Sequence, residues 1–226
     1  MFAGSWDRRH FIAAALAGGY AAAGAAAAEP AARTVLVVGD SLSAEYGLPR
    51  GTGWVALLEK RLAAQKSPVR VVNASISGDT TSGGRSRLPA LLARHRPAVV
   101  VLELGANDAL RGLPLEMTRD NLARMTQAAQ DAGAKVLLVG IQVPPNYGSD
   151  YANHFAELFQ AVARARKAAL VPFMLKGVAD GADPTAMFQA DRLHPRQEAH
   201  PRILDNIWPD LKKLIGAAAV GTAGHP

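Results

Sequence analysis

The sequence predicts an α/β fold in which helices cover a parallel sheet. Three observations carry this reading. Short, uninterrupted apolar runs recur along the chain, as expected of strands buried on both faces. Stretches with helical apolar spacing lie between them, and such alternation implies parallel strands joined by right-handed crossovers. Most of the runs end in small or polar residues, and in parallel sheets ligands bind outside the carboxyl ends of the strands.

The first run, Thr34–Val38, closes in Gly39-Asp40-Ser41. Val69–Val72 ends at Asn73, and Ala98–Leu104, the strongest, ends in Gly105-Ala106-Asn107-Asp108. Val136–Ile141 is the fourth. Ala169–Phe173 is the fifth and weakest, because Pro172 argues against a central position. Trp54–Gln65 places Val55, Leu58 and Leu62 on one helical face. Leu88–Arg94 precedes Pro97, and Met117–Asp131 closes with Gly133, a helix stop. Tyr151–Ala168 carries Phe155, Leu158, Phe159 and Val162 at core spacing. A last helix is expected within Pro195–Ile215, interrupted by Pro201 and Pro209.

The 226 residues are 49% hydrophobic and 19% charged, a globular composition that excludes a mainly disordered chain. There is no cysteine, which removes disulfides, thiolate metal sites, a cysteine nucleophile and a lipoprotein anchor. The net charge of +6 is spread without a dense basic run, so it reads as ordinary solvated surface and not as a nucleic-acid footprint.

The N-terminus reads Trp6-Asp7-Arg8-Arg9-His10-Phe11-Ile12, followed by an alanine- and glycine-rich stretch to Ala28. A short basic region, a weakly apolar core and small residues make an export signal. The paired arginines resemble a bacterial twin-arginine signal. The expected division is residues 1–28 as signal and 29–226 as one domain, exported to the periplasm. No later segment offers about 20 consecutive apolar residues, so no stable membrane insertion is expected after processing.

The strand ends carry the chemistry. Ser41 follows a buried strand and enters a tight turn, which presents its hydroxyl to a cleft. Alone, Gly39-Asp40-Ser41-Leu42-Ser43 fits a helix cap, a phosphate-binding turn or a nucleophile. A bare serine needs a base. Asp191-Arg192-Leu193-His194 supplies one: an aspartate three residues before a histidine can bond Nδ1–H and turn Nε2 toward the nucleophile. Gly78, after the second strand, lets its N–H approach a reacting oxygen without a Cβ in the way. Asn107, after the third, offers a side-chain amide. Each alone also reads as a plain turn. With the Ser41 N–H they make three donors for a developing oxyanion. His194 and His200 are separated by two prolines and do not make a ligand pair, so no metal is expected; acyl transfer through a serine ester requires no organic cofactor either.

These blocks occur in the order of the SGNH (GDSL) hydrolase superfamily. The strings GDSLSAEYGL, NASISGDTTSGG, RLPALL, ELGANDALRG and IQVPPNYG resemble its bacterial arylesterase / thioesterase I / lysophospholipase branch, from Arg33 to about Leu214. The resemblance implies a flavodoxin-like three-layer α/β/α sandwich with a five-stranded parallel sheet in the order 2-1-3-4-5. It implies Ser41 as nucleophile, His194 as base, Asp191 as its orienter, and Ser41, Gly78 and Asn107 as oxyanion hole. The implied reaction is hydrolysis of small ester or thioester substrates through an acyl-serine; lysophospholipids are further candidates, and the alternative is a deacetylase of cell-envelope or plant polysaccharides. A phosphate- or flavin-binding domain would leave Asp191, His194 and Asn107 idle. In thioesterase I relatives the stretch matching Ala109–Pro114 is a mobile loop over the acyl chain. Leu110 and Leu113 are therefore expected to line a groove, with Gly112 as hinge. Pro145 and Tyr147 are expected to form its opposite wall. Two positions depart: Glu45 and Arg192 stand where the branch commonly has glycine.

Overall fold

The computed structural model describes residues 33–221 except residue 184. The expected export signal lies outside the described residues. Each expected strand forms: β1 (Arg33–Gly39), β2 (Val69–Asn73), β3 (Val99–Glu103), β4 (Lys135–Val139) and β5 (Ala169–Val171). They pair in parallel in the order β2-β1-β3-β4-β5. Central β1 and β3 contribute Val35–Val38 and Val99–Leu102, all fully buried.

The helices are α1 (Trp54–Ala64), α2 (Thr81–His95), α3 (Ala106–Leu110), α4 (Leu115–Asp131), α5 (Ser149–Arg166) and α6 (His200–Gly221). α1 and α6 pack together on one face, and α2, α4 and α5 pack side by side on the other. The chain therefore moves outward from β1 to β2 and then returns across β1 to β3. The crevice at that reversal, above the carboxyl ends of β1 and β3, is where ligands bind in sheets of this kind.

Several boundaries differ from the expectation, each for a physical reason. Leu104 and Ile141 were expected in strands because they are apolar; they are buried but lie past the last ladder pairs. Apolarity reports burial, not pairing. α2 starts at Thr81 and not at Leu88. The Thr81-Ser82-Gly83-Gly84 stretch looks like a turn, but Thr80 caps the helix by accepting the Gly83 N–H at 3.2 Å. Gly84 is there for contact: a Cβ on it would fall 2.3 Å from Leu104 Cδ1.

α6 starts later than expected and runs unbroken to Gly221. Pro201 stands in the first turn, whose N–H groups have no helical partner anyway. Pro209 lies inside the helix and costs about 3 kcal/mol. The buried face of Ile203, Leu204, Ile207 and Leu211 outweighs it, at roughly 1.5–3 kcal/mol per side chain.

Close approach of backbones fixes the far edge of the sheet. Gly140 N–H donates to Val171 O at 2.8 Å, and a Cβ on Gly140 would fall 2.4 Å from the backbone oxygen of Pro172. Gly140→Ala is expected to lower the unfolding free energy by about 1–3 kcal/mol in denaturant titration. Gly216→Ala, in open space on α6, is expected to raise it by roughly 0.5–1 kcal/mol. Equal effects at the two glycines would contradict this packing.

Candidate active site

β1 delivers the serine. A Cβ on its last residue, Gly39, would fall 2.7 Å from Glu103 Oε2 and 2.8 Å from Ser43 Oγ, so glycine is what lets the turn fold back over the end of β3. Asp40 then organises the turn. Its carbonyl accepts the N–H groups of Ser43 (3.2 Å) and Ala44 (3.0 Å), and its Oδ1 accepts that of Leu42 (3.0 Å). Ser41 is left half-buried at the tip.

The partner arrives on a closed loop between Phe188 and Pro195, which form an isolated antiparallel bridge. Gln189 N–H donates to His194 O at 2.8 Å, and Arg192 N–H to Gln189 O at 2.9 Å. Asp191 Oδ1 accepts the N–H groups of Leu193 and His194, both at 3.0 Å. Its Oδ2 lies 2.7 Å from His194 Nδ1, and His194 Nε2 lies 2.8 Å from Ser41 Oγ. Burial raises the Asp191 pKa, but the two backbone N–H bonds and the histidine ring outweigh it and hold it at about 2. An ionised carboxylate only accepts, so Nδ1 carries the hydrogen and Nε2 is free to take the serine proton.

Two backbone donors flank the serine. The N–H groups of Ser41 and of Gly78, which has φ +80°, have no acceptor among the described residues. Asn107 is brought to the same place by α3, but its amide is occupied: Nδ2 donates to Asp79 O at 2.9 Å and to Asp40 Oδ2 at 3.1 Å. One of these bonds must give way or be shared for the amide to reach a third oxygen.

Behind this layer lies a buried polar one that sequence reasoning did not single out. Trp54 Nε1–H donates to Ser43 Oγ (3.1 Å), whose hydroxyl donates to Glu103 Oε2 (2.6 Å). Asp40 and Glu103 are both fully buried. Burial pushes the Asp40 carboxyl up to about 7, and burial with the nearby Asp40 charge pushes Glu103 well above the carboxylate range. On α2, Arg87 donates to Gly39 O (3.4 Å), to Ala74 O and to Asp79 Oδ2 (2.8 Å), tying together the loops after β1 and β2. Asp108 accepts from Thr81 N (2.9 Å), Thr81 Oγ1 and Thr118 Oγ1 (3.1 Å), and so anchors α3 between α2 and α4. A buried charge in an apolar run, as at Glu103, was the available signal.

The expected groove residues lie on short structured segments. Ala109 and Leu110 are helical, the last residues of α3, and not part of a free loop. The N–H groups of Arg111, Gly112 and Leu113 bond the carbonyls of Asn107, Ala109 and Asp108, and Arg111 Nη2 donates to Gly78 O at 2.7 Å. The turn is thus hydrogen-bonded within itself and to the loop after β2. Leu110 is exposed and Leu113 half-buried. Pro145 opens a single 3₁₀ turn that ends at Tyr147, whose ring stacks on Tyr151 at 5.9 Å. Among the described residues the exposed large apolar side chains are Tyr46, Ile76, Leu110 and Leu193. They belong to the four segments that carry Ser41, Gly78, Asn107 and His194, three of them loops and one the helix α3.

A hydrogen-bonded Ser–His–Asp chain beside unpaired backbone N–H groups, above the carboxyl ends of a parallel sheet, defines a serine-hydrolase type of site. The GDSL-like lipase/acylhydrolase family profile matches residues 37–202. Esterase TesA of Pseudomonas aeruginosa is 56% identical over 187 residues, covering 83% of this chain and 92% of that protein. Thioesterase 1/protease 1/lysophospholipase L1 of Escherichia coli K12 is 40% identical over 185 residues, covering 82% and 86%. A crystal structure of TesA superposes with a TM-score of 0.77, at 56% identity, over 80% of this chain and 99% of that one. The chain belongs to the GDSL-like lipase/acylhydrolase family.

The buried carboxyls make a prediction about stability. Their raised folded-state pKa values mean the folded chain holds protons that the unfolded chain releases between about pH 4 and 7. Their contribution is therefore greatest below the unfolded carboxylate pKa and is lost as pH rises through the folded value. Glu103→Gln removes one of the two titrations. Its Tm is expected to gain on that of the wild type by at least ~2 °C between pH 4.5 and pH 8. A pH-independent offset in the melting curves would contradict the assignment.

Proposed function

We propose that the chain is a serine hydrolase of carboxylic esters and thioesters in which Ser41 is the nucleophile, His194 the base and acid, and Asp191 the group that orients it. The continuous relay from Asp191 Oδ2 through His194 to Ser41 Oγ, at 2.7 and 2.8 Å, is the observation that carries this reading.

Attack of Ser41 Oγ on the carbonyl carbon moves the hydroxyl proton to His194 Nε2. The oxyanion is received by the N–H groups of Ser41 and Gly78 and by Asn107, which releases or shares its longer bond to Asp40. His194 then protonates the departing alcohol or thiol, leaving an acyl ester on Ser41. Water repeats the sequence and releases a carboxylic acid. The balance closes with water alone.

The four exposed apolar side chains on the segments that carry Ser41, Gly78, Asn107 and His194 support acyl substrates over polar ones. TesA is named an esterase, and the Escherichia coli relative a thioesterase and lysophospholipase, which supports both ester and thioester substrates. Leu110, Leu113 and the Pro145–Tyr147 turn are the proposed groove walls. Each buried methylene adds about 0.8 kcal/mol until the groove ends. The arginine pair and alanine-rich stretch before Ala28 support export to the periplasm by a twin-arginine-like route. N-terminal sequencing of the exported protein is expected to begin near Glu29; an intact Met1 would contradict export processing.

The test is hydrolysis of p-nitrophenyl esters of increasing acyl length by residues 29–226. Wild type is expected to show a length optimum. Ser41→Ala is expected to lose at least ~10⁴ in kcat, and Asn107→Ala about 10²–10³. Activity on acetate alone would favour the polysaccharide deacetylase. Equal rates in wild type and Ser41→Ala would overturn the mechanism.

A further inference from the structure

Glu45 and Tyr46 follow the nucleophile turn, and nothing in the mechanism above uses them. Glu45 is an unusual residue for its backbone. It sits at φ +59°, a left-handed conformation that costs a residue with a Cβ about 1–2 kcal/mol relative to glycine. Its side chain shows what it does there. Oε1 accepts the Gly53 N–H at 2.8 Å and Oε2 accepts the Gly51 N–H at 3.2 Å. The carboxylate thus fastens the start of the loop to its end, just ahead of α1. It points neither to solvent nor toward the serine.

Between these fastenings stands Tyr46. Its carbonyl accepts from Gln189 Nε2 at 3.0 Å, and the same amide nitrogen donates to Pro195 O at 3.1 Å. Gly47 makes room for this amide: a Cβ there would fall 2.2 Å from Gln189 Oε1. Gln189 also holds the backbone of His194 through its own N–H. The loop after β1 and the histidine loop are therefore locked to one another at Tyr46. The Tyr46 ring leans on the imidazole, with ring centroids 4.3 Å apart and planes inclined by 38°. Half of the tyrosine is exposed, so burying it in a core is not what keeps it there.

We propose that Tyr46 is a positioning residue for His194: its ring forms the outer wall of the imidazole, holds Nε2 on Ser41 and faces the positive charge that the ring acquires when it takes the serine proton. This rests on the reading of His194 as the base. An aromatic face within about 6 Å of a cation attracts it, so the contact strengthens as the imidazolium forms. Glu45 and Gln189 set the place of the ring, and the hydroxyl of Tyr46 has no hydrogen-bond partner among the described residues, so the ring is the working part.

The experiment compares Tyr46→Ala, Tyr46→Phe, Glu45→Ala and Ser41→Ala with the wild type, using p-nitrophenyl butyrate kinetics and diethylpyrocarbonate modification of His194 followed by peptide mass mapping. Tyr46→Ala is expected to lower kcat about tenfold with KM little changed. It is also expected to speed His194 modification several-fold. Tyr46→Phe is expected to restore most of both readouts, and Glu45→Ala to move both in the direction of Tyr46→Ala. Wild-type kcat and wild-type modification rate in Tyr46→Ala would overturn the proposal. So would a rise in KM at unchanged kcat, which would make Tyr46 a substrate contact. Activity surviving in Ser41→Ala would instead remove the nucleophile reading, while the modification rates would still report whether Tyr46 covers His194.

Discussion

The hydrogen bond from Ser41 Oγ–H to His194 Nε2 spans 153 positions of sequence, and the rest of the fold serves to hold its two ends together. One end is delivered by β1, an inner strand of the sheet, and the other by a loop just before the last helix. Neither residue is near the other until the sheet, its crossovers and α6 have formed. The relay is therefore a property of the folded domain. Its short links continue to Asp191, whose carboxylate is itself fixed by two backbone N–H groups of the same loop.

Holding those ends is costly elsewhere. Glu45 and Arg192, the two positions where the family likeness leads one to expect glycine, are both left-handed, at φ +59° and +58°. The shape of the two site loops asks for that backbone, and glycine is the residue that adopts it without strain. This chain keeps the shape with other residues, and at Glu45 two backbone N–H bonds offset the strain. Two carboxyls, Asp40 and Glu103, are buried directly behind the serine, where apolar residues would be more stable at neutral pH. Their hydrogen bonds fix the turn that carries Ser41 and reach the side-chain amide of Asn107. Burying ionisable groups at the cost of stability is what an active site does when position matters more than folding free energy.

Much of this was legible in the amino-acid sequence, and the limits are physical. The five apolar runs became the five strands because period and burial are local signals. The ends of β4 and β5 at Val139 and Val171 are hidden in the sequence because Ile141 and Phe173 are apolar in loops packed against the core. The start of α2 is hidden because glycine in its first turn serves contact with Leu104, a fact that exists only after folding. Ser41, Asp191 and His194 stood out in the sequence because a strand-end serine and an aspartate three residues before a histidine are types that chemistry can use, and the fold does bring them into one hydrogen-bonded chain. The supports were not: Arg87 is an ordinary helix arginine in sequence, and only the folded chain brings Gly39 O, Ala74 O and Asp79 to it. The stretch after Asn107 was expected to be a loop by family likeness, whereas local hydrogen bonds make it the end of a helix and a tight turn.

The central claim is that an acyl group is carried on Ser41, and the most direct measurement is to trap it. The protein would be mixed with excess p-nitrophenyl ester, quenched in acid within the first turnovers and digested for peptide mass mapping. The account predicts a burst of p-nitrophenol and a mass increase equal to the acyl group on the peptide containing Ser41. Turnover with an unmodified Ser41 peptide, or with the acyl group on another residue, would contradict it.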